Sequence, residues 1–220
     1  LVHQGEFFHR YILGLYEVLR RIFVEKHPNV LLESCSSGGN RFDLGMLCYA
    51  PQIWCSDNTD PISRLEIQGN LSYLYPQSTF GAHVSAAPHA QTLRNTPLTT
   101  RGNVSFFGCL GYELDLTKLS QEEKDKIKNQ IIRFKEDWDI IHNGDYYRVT
   151  PGGENREYVA WNMVSADKKQ VLLNLVTTNT HGNPLPIYGK LKGLQPDAMY
   201  RCVETGIVFS GTELMHIGMP

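Results

Sequence analysis

Two stretches of this chain set carboxylates among small polar residues: Glu33-Ser34-Cys35-Ser36-Ser37-Gly38-Gly39-Asn40-Arg41-Phe42-Asp43 and Trp54-Cys55-Ser56-Asp57-Asn58-Thr59-Asp60. Each follows a short apolar run, Val30 to Leu32 and then Gln52 to Trp54, which places both stretches at strand ends. A carboxyl group at the end of a barrel strand can give or take a proton as general acid or base. Asp57 is the candidate, with helix capping as its alternative use. Asp60 directly precedes Pro61 and suits the cap better, which leaves Asp57 for chemistry.

The other candidates are less specific. Cys35 to Gly39 offers small side chains and open backbone amides that let a polar ligand approach, or is simply a tight loop after a strand. Cys35 has the nucleophilic atom of a thiol hydrolase, but no neighbour in sequence supplies the base or cation that would lower its pKa. Arg41 can pair with Asp43, either as part of a site or as a surface salt bridge. Trp54 can stack on an apolar ligand face or fill the core. His83 and His89 invite a metal, yet their spacing matches no helical ligand pair. No metal and no cofactor is expected.

The elements that must position these residues alternate. Phe8, Tyr11, Ile12, Leu15, Val18, Leu19 and Ile22 form one stripe of a helix from about His3 to Val24. A buried strand follows at Val30 to Leu32 and a second at Gln52 to Ser56, leading into a helix over Pro61 to Tyr75. Strands at Phe80 to Val84 and Phe107 to Leu110 flank a helix near Thr96 to Phe106. A capping box at Ser120 to Glu123 opens a long helix with Ile127, Ile131, Phe134, Trp138 and Ile141 on its stripe. Strand, loop and helix repeat as in a parallel α/β fold, and the four or so units in residues 1–142 match the second half of a (β/α)8 TIM barrel.

From Asp145 the period changes to two. Tyr158 to Val164, a turn at Ala166 to Lys169 and Val171 to Val176 predict an antiparallel β domain over residues 145–220, with further strands near Tyr200 to Glu204 and Glu213 to Ile217.

With 21 basic and 23 acidic residues among 220, the chain has no basic stripe for nucleic acid, and no apolar run is long enough to span a membrane. Five cysteines without a C-x-x-C pair predict neither a disulfide framework nor structural zinc, and point to a reducing, cytoplasmic setting. The start at Leu1, without Met and already close to a helical pattern, predicts a piece of a longer protein.

Taken in order, the two stretches above with Tyr49 to Trp54, Gly81-Ala82-His83-Val84-Ser85 and Gly111-Tyr112-Glu113-Leu114-Asp115 resemble the bacterial α-galactosidases of glycoside hydrolase family 36 across the whole chain. The resemblance implies the second half of a catalytic (β/α)8 barrel, followed by most of a C-terminal antiparallel β-sandwich domain. It implies a retaining hydrolase that removes terminal α-D-galactose from melibiose- and raffinose-type sugars, with a homo-tetrameric parent enzyme. In that family the first aspartate of a Ser-Asp-x-Thr-Asp motif is the acid/base, here Asp57. Cys35, Gly38 and Trp54 fall on sugar-contacting positions.

The family's nucleophile is the aspartate of a Lys-Trp-Asp motif, which these 220 residues do not contain. The isolated chain is therefore expected to be inactive, since retention needs two carboxyl groups. Two positions depart from the common pattern: Asn40 replaces a frequent third glycine and Cys55 a frequent threonine. The competing readings are a non-catalytic galactoside-binding or assembly module, and a hydrolase using Cys35, His83 and Asp57.

Overall fold

The computed structural model describes residues 2–150 and 157–219; of the expected second segment, 151–156 and 220 lie outside the described residues. The chain opens with α1 (Gln4–Leu19), which widens into a π-helical stretch, Arg20–Lys26. There follow β1 (Glu33–Ser34), a broken turn α2 (Ser36–Gly39), α3 (Leu44–Leu47), β2 (Gln52–Trp54) and α4 (Pro61–Leu71). Next come β3 (Phe80–Ser85), α5 (Leu98–Ser105), β4 (Cys109–Glu113), α6 (Gln121–Glu136) and α7 (Trp138–Asn143).

The four strands form one parallel sheet in the order β1-β2-β3-β4. Its two faces differ because side chains alternate along each strand. Ile53, Phe80, Val84, Leu110 and Tyr112 join apolar clusters with the helices. On the other face Gln52 donates to Glu33 at 3.0 Å, the rings of Trp54 and His83 lie 4.5 Å apart, and His83 Nδ1 is 3.6 Å from Glu113. A polar face whose loops leave from the strands' C-terminal ends is where a ligand site can form.

The remainder is antiparallel. The strands β5 (Asp145–Arg148), β6 (Tyr158–Val164) and β7 (Val171–Thr177) form a three-stranded sheet. A smaller pair, β8 (Met199–Arg201) and β9 (Val208–Ser210), precedes α8 (Gly211–His216). The largest core runs across both parts of the chain. Phe80, Phe106 and Phe107 pack in one cluster with Ile140, Ile141, Trp161, Met163 and Val176, and the Phe107 ring meets Trp161 edge-on at 5.3 Å.

Several expected boundaries move. Val30 to Leu32 is not a strand: Val30 N closes a turn on His27 O, and pairing begins at Glu33, so this carboxylate belongs to the sheet face and not to the loop. Phe106 and Phe107 form the exit of α5, their amides bonded back to Gly102 and Val104, which delays β4 to Cys109. The long helix breaks at Asp137, which pairs with Arg133. The restart re-registers the stripe, so that Ile140 and Ile141 are buried while Trp138 is half-exposed. The helix after Pro61 stops at Leu71, short of Tyr75. Glu213 to Ile217 is largely helix, because Ser210 and Glu213 form a capping box that starts α8.

The expected box at α6 is present: Glu123 N donates to Ser120 Oγ at 3.2 Å and Ser120 N to Glu123 Oε2 at 2.9 Å. The Ser120 amide holds the Glu123 carboxyl below its usual pKa, so the box is complete at neutral pH and is lost only as acid carries the pH down through that lowered value. Ser120→Ala is expected to cost about 1 kcal/mol, seen as a lower thermal midpoint.

Candidate active site

The loop after β2 carries Asp57 at the C-terminal edge of the sheet. Asp57 is exposed, and its Oδ1 accepts the Trp54 indole N–H at 2.8 Å. Trp54 is itself buried, so it serves both as packing and as a hydrogen-bond donor to the carboxylate. The turn after β1 faces the same group. Gly38, at φ +72, would place a Cβ 3.2 Å from Asp57 Oδ2. Only hydrogen fits comfortably there, so the Gly38 backbone and the Asp57 carboxylate lie directly against each other.

Gly38, Trp54 and Asp57 are thus brought together. Cys35 opens the same turn, exposed and without a disulfide, its carbonyl accepting Gly39 N at 2.9 Å. Asp60 caps α4 by accepting from Ile62 N at 3.1 Å; it is fully buried and also pairs with Arg94. Arg41 donates to Tyr11 at 3.3 Å, while Asp43 caps α3 through Met46 N at 2.8 Å and accepts from Tyr16.

The two histidines have separate roles. His83 packs at a tilt against Trp54 on the polar face. His89 is buried in the loop after β3, its Nε2 3.1 Å from Thr59 Oγ1 and its Nδ1 accepting from Thr92 N at 3.3 Å, which ties that loop to the Asp57 loop.

The sequence reading passed over Arg64, on α4. It is only 2% exposed, and its guanidinium carbon sits 4.4 Å from the centre of the Trp54 ring. Nε donates to Asn58 O at 2.7 Å and Nη1 to Gly81 O at 3.1 Å. Burial pulls its pKa down, while Cys55, Glu113 and Asp57 pull it up. Burial also raises the Cys55 thiol, keeping it protonated beside the guanidinium. The signal was available in principle, since an arginine amid a buried helix stripe needs acceptors. Which carbonyls would provide them depends on the loop's path.

Residues 1–144 match the family model described as melibiase, and residues 158–220 match the glycosyl hydrolase family 36 C-terminal domain. The chain belongs to glycoside hydrolase family 36. Among family members, the α-galactosidase Mel36A of Lactobacillus acidophilus is 46% identical over 98% of this chain. AgaA of Geobacillus stearothermophilus is 45% identical over 98%. The crystal structure of an AgaA variant in complex with raffinose superposes with a TM-score of 0.93, at 43% identity over 99% of this chain. Another, in complex with stachyose, gives 0.91 at 44% identity over 96%. The chain spans 29% of the length of Mel36A and 30% of the raffinose-bound AgaA chain.

Proposed function

We propose that this chain supplies the acid/base side of the cleft of a retaining α-galactosidase that releases terminal α-D-galactose from raffinose- and melibiose-type oligosaccharides. The observation that carries the reading is the Asp57 carboxyl, held by the Trp54 N–H at 2.8 Å against the Gly38 turn at the sheet's C-terminal edge. The raffinose and stachyose complexes of AgaA support the choice of substrate class.

In this mechanism Asp57 begins protonated and gives its proton to the glycosidic oxygen as the bond to the anomeric carbon breaks. It then takes a proton from the water that releases galactose from the covalent intermediate. The indole N–H orients the carboxyl, and the glycine turn lets sugar hydroxyls approach backbone, with Cys35 at its entrance. The nucleophile is a second carboxylate on an earlier strand of the longer enzyme, about 5 to 5.5 Å from the first.

The architecture is read accordingly, as the second half of a (β/α)8 barrel over residues 1–142 and an antiparallel β-sandwich domain over 145–220. Support comes from the all-parallel order β1-β2-β3-β4, the helices gathered on one face and the polar side chains on the other. Five free thiols fit a reducing compartment.

The test is raffinose hydrolysis by the full-length protein, with NMR of the first galactose released. The expected product is the α-anomer, and the 220-residue chain alone should be inactive. Release of β-galactose would overturn the retaining mechanism. Turnover by the chain alone would overturn the need for an upstream nucleophile.

A further inference from the structure

Arg64 is a buried cation whose direct partners are carbonyls, a thiol and an aromatic ring. Burying a guanidinium is costly, and a neutral side chain could fill the same space, so the fork needs a reason beyond packing. Its contacts supply one. Nη2 donates to Ser56 O at 2.5 Å and Nε to Asn58 O at 2.7 Å, so the guanidinium holds the carbonyls of the two residues on either side of Asp57. Nη1 donates to Gly81 O at 3.1 Å and so ties the loop to β3, where Gly81 is the register partner of Trp54. The guanidinium carbon also sits over the Trp54 ring, whose N–H binds the Asp57 carboxyl.

We infer that Arg64 is a positioning residue for the acid/base carboxyl, setting Asp57 through the carbonyls of its neighbours Ser56 and Asn58 and through the Trp54 indole. This rests on the reading of Asp57 as the proton donor. Arginine is required because a planar fork serves several acceptors in fixed directions, whereas a lysine ammonium has one nitrogen and no plane to lay on the indole. The charge serves too, since the carbonyls of Ser56 and Asn58 turn their negative ends toward it.

The experiment is Arg64→Lys in the full-length enzyme, measured on raffinose and on an aryl galactoside whose dinitrophenyl leaving group needs no proton. Misplacing the acid should lower kcat/KM for raffinose by about tenfold to a hundredfold. The aryl substrate should lose much less, and inhibition by galactose should be unchanged. Equal losses on the two substrates would mark Arg64 as a structural residue only, and wild-type raffinose turnover would also overturn the inference.

Asp57→Asn is assayed in parallel. If it shows no preference for the activated substrate, the acid reading itself fails. If it does and Arg64→Lys does not, only the positioning role fails. Should Arg64→Lys not accumulate as folded protein, Trp54→Phe carries the test, because it keeps a ring beneath the guanidinium and removes the N–H that reaches Asp57. It should give the same leaving-group pattern, and raffinose turnover equal to wild type would overturn the inference.

Discussion

Asp57→Asn in the full-length enzyme is expected to lower raffinose turnover by about a hundredfold to ten-thousandfold, the range general acid/base catalysis supplies. The amide matches the carboxyl in size and keeps an oxygen for the Trp54 N–H, now 2.8 Å from Oδ1, so folding and sugar binding should persist. What it lacks is a proton to give. The loss should therefore follow the leaving group: a sugar alkoxide needs protonation as it departs, and a dinitrophenolate does not.

The second half of the cycle adds a distinct signature. Under the proposed retaining mechanism, loss of the base leaves water to attack the galactosyl intermediate slowly, so on an activated substrate the variant should show a burst of phenolate followed by a slow steady state. A small anion such as azide, which needs no deprotonation, should then accelerate turnover and give a galactosyl azide of retained α configuration. Undiminished raffinose hydrolysis would remove Asp57 from the mechanism.

What was legible in the sequence was what local chemistry decides. The Ser120 box and the Asp60-Pro61 start depend on a few neighbouring residues, and both form as expected. Ser210 to Glu213 carries the same serine-x-x-glutamate signature, but the apolar residues after it favoured a strand reading, and the cap prevailed. Boundaries set by partners elsewhere in the chain were harder. Val30 and Leu31 look like a buried strand but are exposed, because pairing with β2 begins only at Glu33. Phe107 looks like the start of β4 but turns into the core against Trp161.

The site shows the same division. Asp57, Gly38 and Trp54 were visible as residue types at strand ends, and they meet. Arg64 was not, because its part depends on carbonyls at Ser56, Asn58 and Gly81, which no side-chain pattern records.

Gly39→Ala should damage the site through backbone alone. Gly39 sits at φ +90, where an L side chain is strained by roughly 1–3 kcal/mol even in open space. Space is also missing, since a Cβ there would lie 2.7 Å from the carbonyl oxygens of both Trp54 and Cys55. These are main-chain atoms at the end of β2 and cannot rotate away, unlike the Asp57 carboxyl that a Cβ on Gly38 would press at 3.2 Å. The turn must therefore lift off β2, taking the Gly38 backbone away from Asp57 and loosening the peptides that Arg64 holds.

The expected result is a lower thermal midpoint together with a rise in KM for raffinose, because the displaced turn is the surface proposed to meet the sugar hydroxyls. Gly69→Ala is the control: it lies inside α4 with nothing within 4 Å of its Cβ, and should raise stability by about 0.5–1 kcal/mol with unchanged kinetics. A Gly39→Ala enzyme with wild-type midpoint and KM would mean that the turn tolerates displacement, and the contact between the Gly38 backbone and Asp57 would then be no part of sugar recognition.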